Sequence, residues 1–189
     1  MLYHASPIPD IKTLTPHTSN HGKPLIYFSF KRENVLVYLS NAVEKHCRER
    51  GFPHSCSYHK WGSYGFTRDG LLRLDEYWPN ATQYTYKGVS GCIYTVSEEH
   101  LTPMEDIPFA FTSDKPVPVI SCEYIPDAYQ ALLSAAEEGR IILTSYSQNS
   151  PRMLDWIKSA ITDEYEKSQG SPEYRFFLRE HFDFLSHSQ

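Results

Sequence analysis

A chain of 189 residues with a net charge of −5 has the length of one domain, enough to bury roughly 70% of its unfolded surface. Its acidity argues against a general nucleic-acid binder, which needs a basic face, and leaves a local basic patch open. The composition is ordinary apart from 14 Tyr, 10 Phe and 3 Trp, residues that fill cores and also line pockets for flat ligands.

Leu2-Tyr3-His4-Ala5 predicts a first strand, ended by Pro7 and Pro9. Alternation puts Leu2 and His4 on one face and Tyr3 and Ala5 on the other. With Pro16 also breaking up the N-terminal residues, no signal peptide is visible, and no run reaches the roughly 18 apolar residues of a membrane span. The expected location is therefore cytoplasmic, with export by a non-classical route left open. Ile11 to Gly22 is a polar connector.

Pro24 to Ser40 is the stretch around which the chain is organised. Leu25 to Ser29 predicts a strand; the period then becomes helical, with Val35, Leu36, Leu39 and Val43 on one side. This helix is expected to end at Gly51, with Arg48 and Arg50 in its last turn, where cations suit the dipole. Residues 52–70 read as loop with short strands, and Asp69 to Trp78 as either a strand or a short helix. Gly91 to Val96 is a clear strand, with an expected antiparallel partner at Thr82 to Tyr86 across a turn containing Gly88.

Residues 103–116 form a proline-rich loop with a short extended piece at Phe109 to Thr112. Val117 to Tyr124 predicts a strand with Val117, Val119, Ser121 and Glu123 on one face. A helix follows, with Pro126 in its first turn, Asp127 at its positive end and Gly139 at its exit. Ile141 to Leu143 is a further strand. Ser150-Pro151 and Ser171-Pro172 each read as a cap followed by a first helical residue. The pattern is α+β with antiparallel sheets: one domain, 1–189, with 150–187 as a helical tail. Neither GxGxxG nor GxxxxGK[ST] occurs, so the common phosphate-loop folds have no support.

Three separated pieces resemble the ADP-ribosyltransferase fold, in its diphtheria-toxin and poly(ADP-ribose) polymerase branch. Tyr3-His4-Ala5-Ser6 is similar to the family's histidine strand, and Ile26-Tyr27-Phe28-Ser29 to its aromatic strand. Tyr38 falls where the family has a second stacking tyrosine, and Cys122-Glu123-Tyr124 looks like the strand with the catalytic glutamate. The resemblance implies split antiparallel sheets and NAD as substrate. It also implies transfer of ADP-ribose to an unknown acceptor with release of nicotinamide. Ala5 stands where the family usually has Gly, Val35 where a serine often supports the nicotinamide amide, and Ser121 two residues before Glu123. The signature of the arginine-directed branch is therefore missing.

The roles implied are specific. Glu123 would bind the nicotinamide-ribose hydroxyl and stabilise positive charge on the ribose as the glycosidic bond breaks. Tyr27 and Tyr38 would sandwich the ring. His4 would hold the adenosine ribose, and the Ala5 backbone the nicotinamide amide. Lys23, Lys31 and Arg32 could attract the pyrophosphate. The main rival is a catalytically inactive relative that binds NAD or ADP-ribose. A second rival is a zinc-stabilised adaptor using His46, Cys47, His54, Cys56 and His59. Against that rival, Cys47 and Cys56 are too far apart for a common knuckle, and adjacent His46 and Cys47 point different ways on a helix. No metal is expected. The four cysteines contain no CxxC pair, so reduced thiols are the default.

Overall fold

The structure is a computed structural model that describes residues 1–18, 23–54 and 63–187. The first half of the chain runs β1 (Leu2–Ser6), β2 (Thr13–Leu14), β3 (His17–Thr18), β4 (Pro24–Ser29), a 3-10 helix (Arg32–Tyr38), α1 (Ala42–Arg50), β5 (Tyr64–Phe66), β6 (Leu72–Asp75), α2 (Ala81–Tyr86) and β7 (Gly91–Val96). The second half runs β8 (Thr102–Pro103), β9 (Ala110–Ser113), β10 (Val117–Pro118), β11 (Ser121–Ile125), α3 (Ala128–Glu137), β12 (Ile141–Thr144), α4 (Pro151–Lys167) and α5 (Pro172–His181). The class is α+β. Strands β11-β7-β1-β4-β9-β8 form one sheet in that order, with β3 also on β4. Every pairing specified in that sheet is antiparallel. Smaller sheets are β10-β2 and β12-β6-β5.

The chain divides into two compact units. The first comprises 1–39, 64–73 and 87–142. Residues opposite each other in an antiparallel ladder share a face. His4 opposes Tyr94, which opposes Cys122; Ala5 opposes Ile93, which opposes Glu123. The His4 face is apolar. Leu2, Ile26, Phe28, Cys92, Tyr94 and Val96 pack there with Leu14 and Val117 of the β2–β10 ribbon. The Tyr94 hydroxyl donates to Ile8 O at 2.6 Å and accepts from Ile11 N–H at 3.3 Å, tying down the connector. Burial pushes that phenol up to about 12. The opposite face of β1 packs against the 3-10 helix, where Val35, Leu36 and Leu39 are buried.

The second unit comprises 40–63, 74–86 and 143–189. Its core is aromatic. Trp78, Tyr174, Phe177 and Phe182 are buried with Ile157, Ile161 and Leu178, and Phe176 packs against them. Ser150 caps α4 by accepting from Met153 N–H at 3.2 Å, and Pro151 is its first residue.

Four local expectations are corrected. The helix expected from residue 30 to Gly51 is broken: a 3-10 helix ends at Tyr38, and α1 starts anew at Ala42 after Asn41. Gly51 closes it as expected, in the left-handed conformation at φ 65°. Thr82 to Tyr86 is not a strand but most of α2, with Ala81 and Thr85 buried one turn apart. β7 therefore pairs with β1 and β11 instead of a hairpin neighbour. Val117 to Tyr124 is two strands, the first on β2 and the second on β7. Pro126 lies outside α3, whose cap is Asp127, accepting from Gln130 N–H at 3.1 Å. Burial raises that carboxyl, but backbone N–H groups of Gly88, Gln130 and Tyr129 outweigh it and hold it below the usual range.

Candidate functional site

A small open cleft lies within the first unit. Tyr27 and Ser29 reach it from β4, and Asn34, Val35 and Tyr38 from the 3-10 helix. Phe66 of β5 and the segment holding Met104, Ile107 and Pro108 close its sides. The strand-to-helix unit in the sequence thus supplies both tyrosines to one cavity, because the chain turns back at Phe30–Lys31 and lays the helix along the sheet. Tyr38 also meets Tyr64, edge to face at 6.0 Å, with 3.4 Å between the hydroxyls.

Gly70 shapes the outer wall. Its φ is +72°, and a Cβ there would lie 2.3 Å from Cδ2 of Phe109. Lys31 Nζ donates to Asp69 O at 2.8 Å and lies 4.7 Å over the Phe109 ring. Phe30 N–H donates to Phe109 O at 2.9 Å, so the wall is pinned from both sides.

His4, Tyr27 and Glu123 do not share one face. Tyr3 opposes Ser29, which puts Tyr27 on the face of Tyr3, Ala5 and Glu123. His4 lies on the other face, with its ring 5.9 Å from Phe28. Yet the imidazole reaches the backbone of β4: Nδ1–H donates to Tyr27 O at 2.9 Å. A carbonyl can only accept, which fixes the tautomer and leaves Nε2 as the acceptor. Burial lowers the His4 pKa, against the raising effect of that hydrogen bond. Ala5 is 6% exposed and is not part of the cleft lining.

Glu123 is on the exposed strand β11, at the edge of the large sheet. Both of its oxygens are taken. Arg32 Nε donates to Oε2 at 2.8 Å and Nη2 to Oε1 at 2.6 Å. This fork pushes the guanidinium further up. Arg32 also lies 3.6 Å from buried Glu33, which pairs in turn with Arg140. Arg32, a basic residue that could attract a pyrophosphate but more often marks a solvated helix start, joins the carboxylate of the sheet edge to the helix that lines the cleft. Asn34 was missed from sequence. Inside a helical pattern it looks like a solvated position, and no local signal marks its burial.

Of the proposed zinc ligands, Cys56 and His59 lie outside the described residues. His46 packs edge-on or tilted among Tyr84, Phe176, Phe177 and His181 in the second unit. Cys47 is buried, with Sγ 3.9 Å from Glu173 O. Among the described residues, no group of three or more His, Cys, Asp or Glu could hold a metal ion, and no helix is long and apolar enough to cross a membrane. Compared with protein-family models, curated proteins and solved structures, the chain finds no match in any of the three.

Proposed function

We propose that the protein is an NAD-dependent ADP-ribosyltransferase that cleaves the nicotinamide–ribose bond and passes ADP-ribose to an acceptor. The observation that carries this reading is the single cleft lined by Tyr27 and Tyr38, with Glu123 on the same face of the sheet as Tyr27. Two aromatic side chains suit a flat ring. Glu123 is three strands from Tyr27 and outside the cleft lining; brought to the ribose, its carboxylate would suit the positive charge that develops as the bond breaks. His4, anchored on the Tyr27 carbonyl, would brace the backbone of the aromatic strand. Split sheets of the ADP-ribosyltransferase kind are part of the same proposal.

One observation favours a second reading, an inactive NAD- or ADP-ribose-binding module. Glu123 is held bidentately by Arg32, and a carboxylate so engaged must exchange its partner before it can serve ribose. Incubation with labelled NAD⁺, wild type beside Glu123→Gln, separates the two. The transferase releases nicotinamide and labels an acceptor, and Glu123→Gln loses about 100-fold or more of that rate while still binding NAD⁺. Tight NAD⁺ binding without release by wild type, across varied acceptors, identifies the binding module.

A further inference from the structure

We propose that Asn34 gives the cleft its ligand selectivity, by accepting a hydrogen bond from a primary carboxamide on the flat ring that enters between Tyr27 and Tyr38. This rests on the transferase reading for the identity of the ring, and adds to it the group that recognises the ring's substituent. Asn34 lines the cleft and is 3% exposed. Its Nδ2 donates to Gly70 O at 3.3 Å. Because a carbonyl can only accept, that bond fixes the orientation of the side-chain amide and leaves Oδ1 as the unused end. Oδ1 is buried and has no hydrogen-bond partner among the described residues.

A buried acceptor without a donor is disfavoured, and a ligand N–H removes the penalty. No side-chain donor of the lining satisfies it: Val35, Ile107 and Pro108 carry none, and the hydroxyls of Ser29, Tyr27 and Tyr38, which share the lining, do not bond it. The missing donor therefore comes from the occupant. The aromatic residues ask for a flat ring, and Oδ1 asks that the ring carry N–H. A ring bearing a carboxylate instead would place acceptor against acceptor and be rejected.

The test uses the full chain with three small rings: benzamide, methyl benzoate and benzoate. Methyl benzoate keeps the ring and carbonyl but has no N–H. Dissociation constants are measured by NMR titration for wild type, Asn34→Leu and Asn34→Ala, with thermal melting as a folding control. Wild type is expected to bind benzamide about tenfold more tightly than methyl benzoate, as one hydrogen bond to a buried acceptor allows, and to bind benzoate most weakly. Asn34→Leu, close in volume and without the unpaired oxygen, is expected to melt normally and to bind benzamide and methyl benzoate equally. Asn34→Ala reports the same loss of preference if leucine disturbs the packing. Equal binding of the two neutral rings by wild type overturns the proposal, and so does a benzamide preference that persists in both variants. NAD⁺ binding that is unchanged in the variants overturns this inference alone. Failure of wild type to bind any ring or NAD⁺ overturns the transferase reading with it.

Discussion

The two units use the same aromatic residues for opposite ends. In the second unit the rings close on one another. His46 sits 4.7 Å from His181 and 5.5 Å from Phe177, and Trp78 meets Phe177 at 5.8 Å. In the first, Tyr27, Tyr38 and Phe66 stand around an opening. The histidines differ in another way: His46 Nε2 has no partner among the described residues, whereas His4 Nδ1–H is spent on a strand carbonyl. An excess of aromatics in a composition thus has two structural meanings, and only the surroundings of each ring tell them apart.

If the contrast is right, truncating rings in the two units has different consequences. Phe177→Ala empties a fully buried site and is expected to lower stability by about 3–5 kcal/mol, measured by urea unfolding. Tyr38→Ala, on a partly exposed ring, is expected to lose less than half as much stability. It should weaken NAD⁺ binding by up to about tenfold, the order of one aromatic contact, read by calorimetric titration. Equal stability losses at the two positions would erase the distinction between filled core and open cleft.

Acidification sharpens the same contrast through His46. Burial first, then His181 and Arg50, lowers its pKa from 6.5 to about 4. The folded state therefore keeps the ring neutral while the unfolded chain already binds a proton. Stability is fully present above pH 6.5 and is lost progressively as pH falls toward 4. The urea midpoint should decline over that window, and His46→Phe should flatten the decline, leaving the part that follows from the lowered pKa values of His4 and His181. An unchanged slope in His46→Phe would assign the acid sensitivity elsewhere.

How much was legible in the sequence varies with how local the signal is. β1, β4 and β7 were readable because alternation and β-branched or aromatic residues are properties of a few neighbours. Gly51 and the Ser150–Pro151 start of α4 were readable for the same reason. Thr82 to Tyr86 misled because its Thr and Tyr residues favour strands. Its fate was decided by the Ala81–Thr85 spacing and by packing against the aromatic core. The sequence placed Tyr27 and Tyr38 correctly in a strand and a helical turn, and the structure adds that they face one cavity. The face of His4 relative to Glu123 follows from strand order and register, which two short motifs do not carry. Arg32 and Asn34 were illegible in their present roles, since ion pairing across 91 residues and burial of a helical asparagine are set by the whole fold.

Gly70 has a practical bearing on any attempt to retarget the protein. Its bare α-carbon is the seat of Phe109, and its carbonyl orients Asn34. The segment 104–110 and the turn 67–70 therefore work as mould and casting. Grafting a foreign loop in place of one without exchanging the other would misfit at residue 70 before any new contact could form, so diversification of the cavity rim should treat both stretches as a single exchangeable cassette.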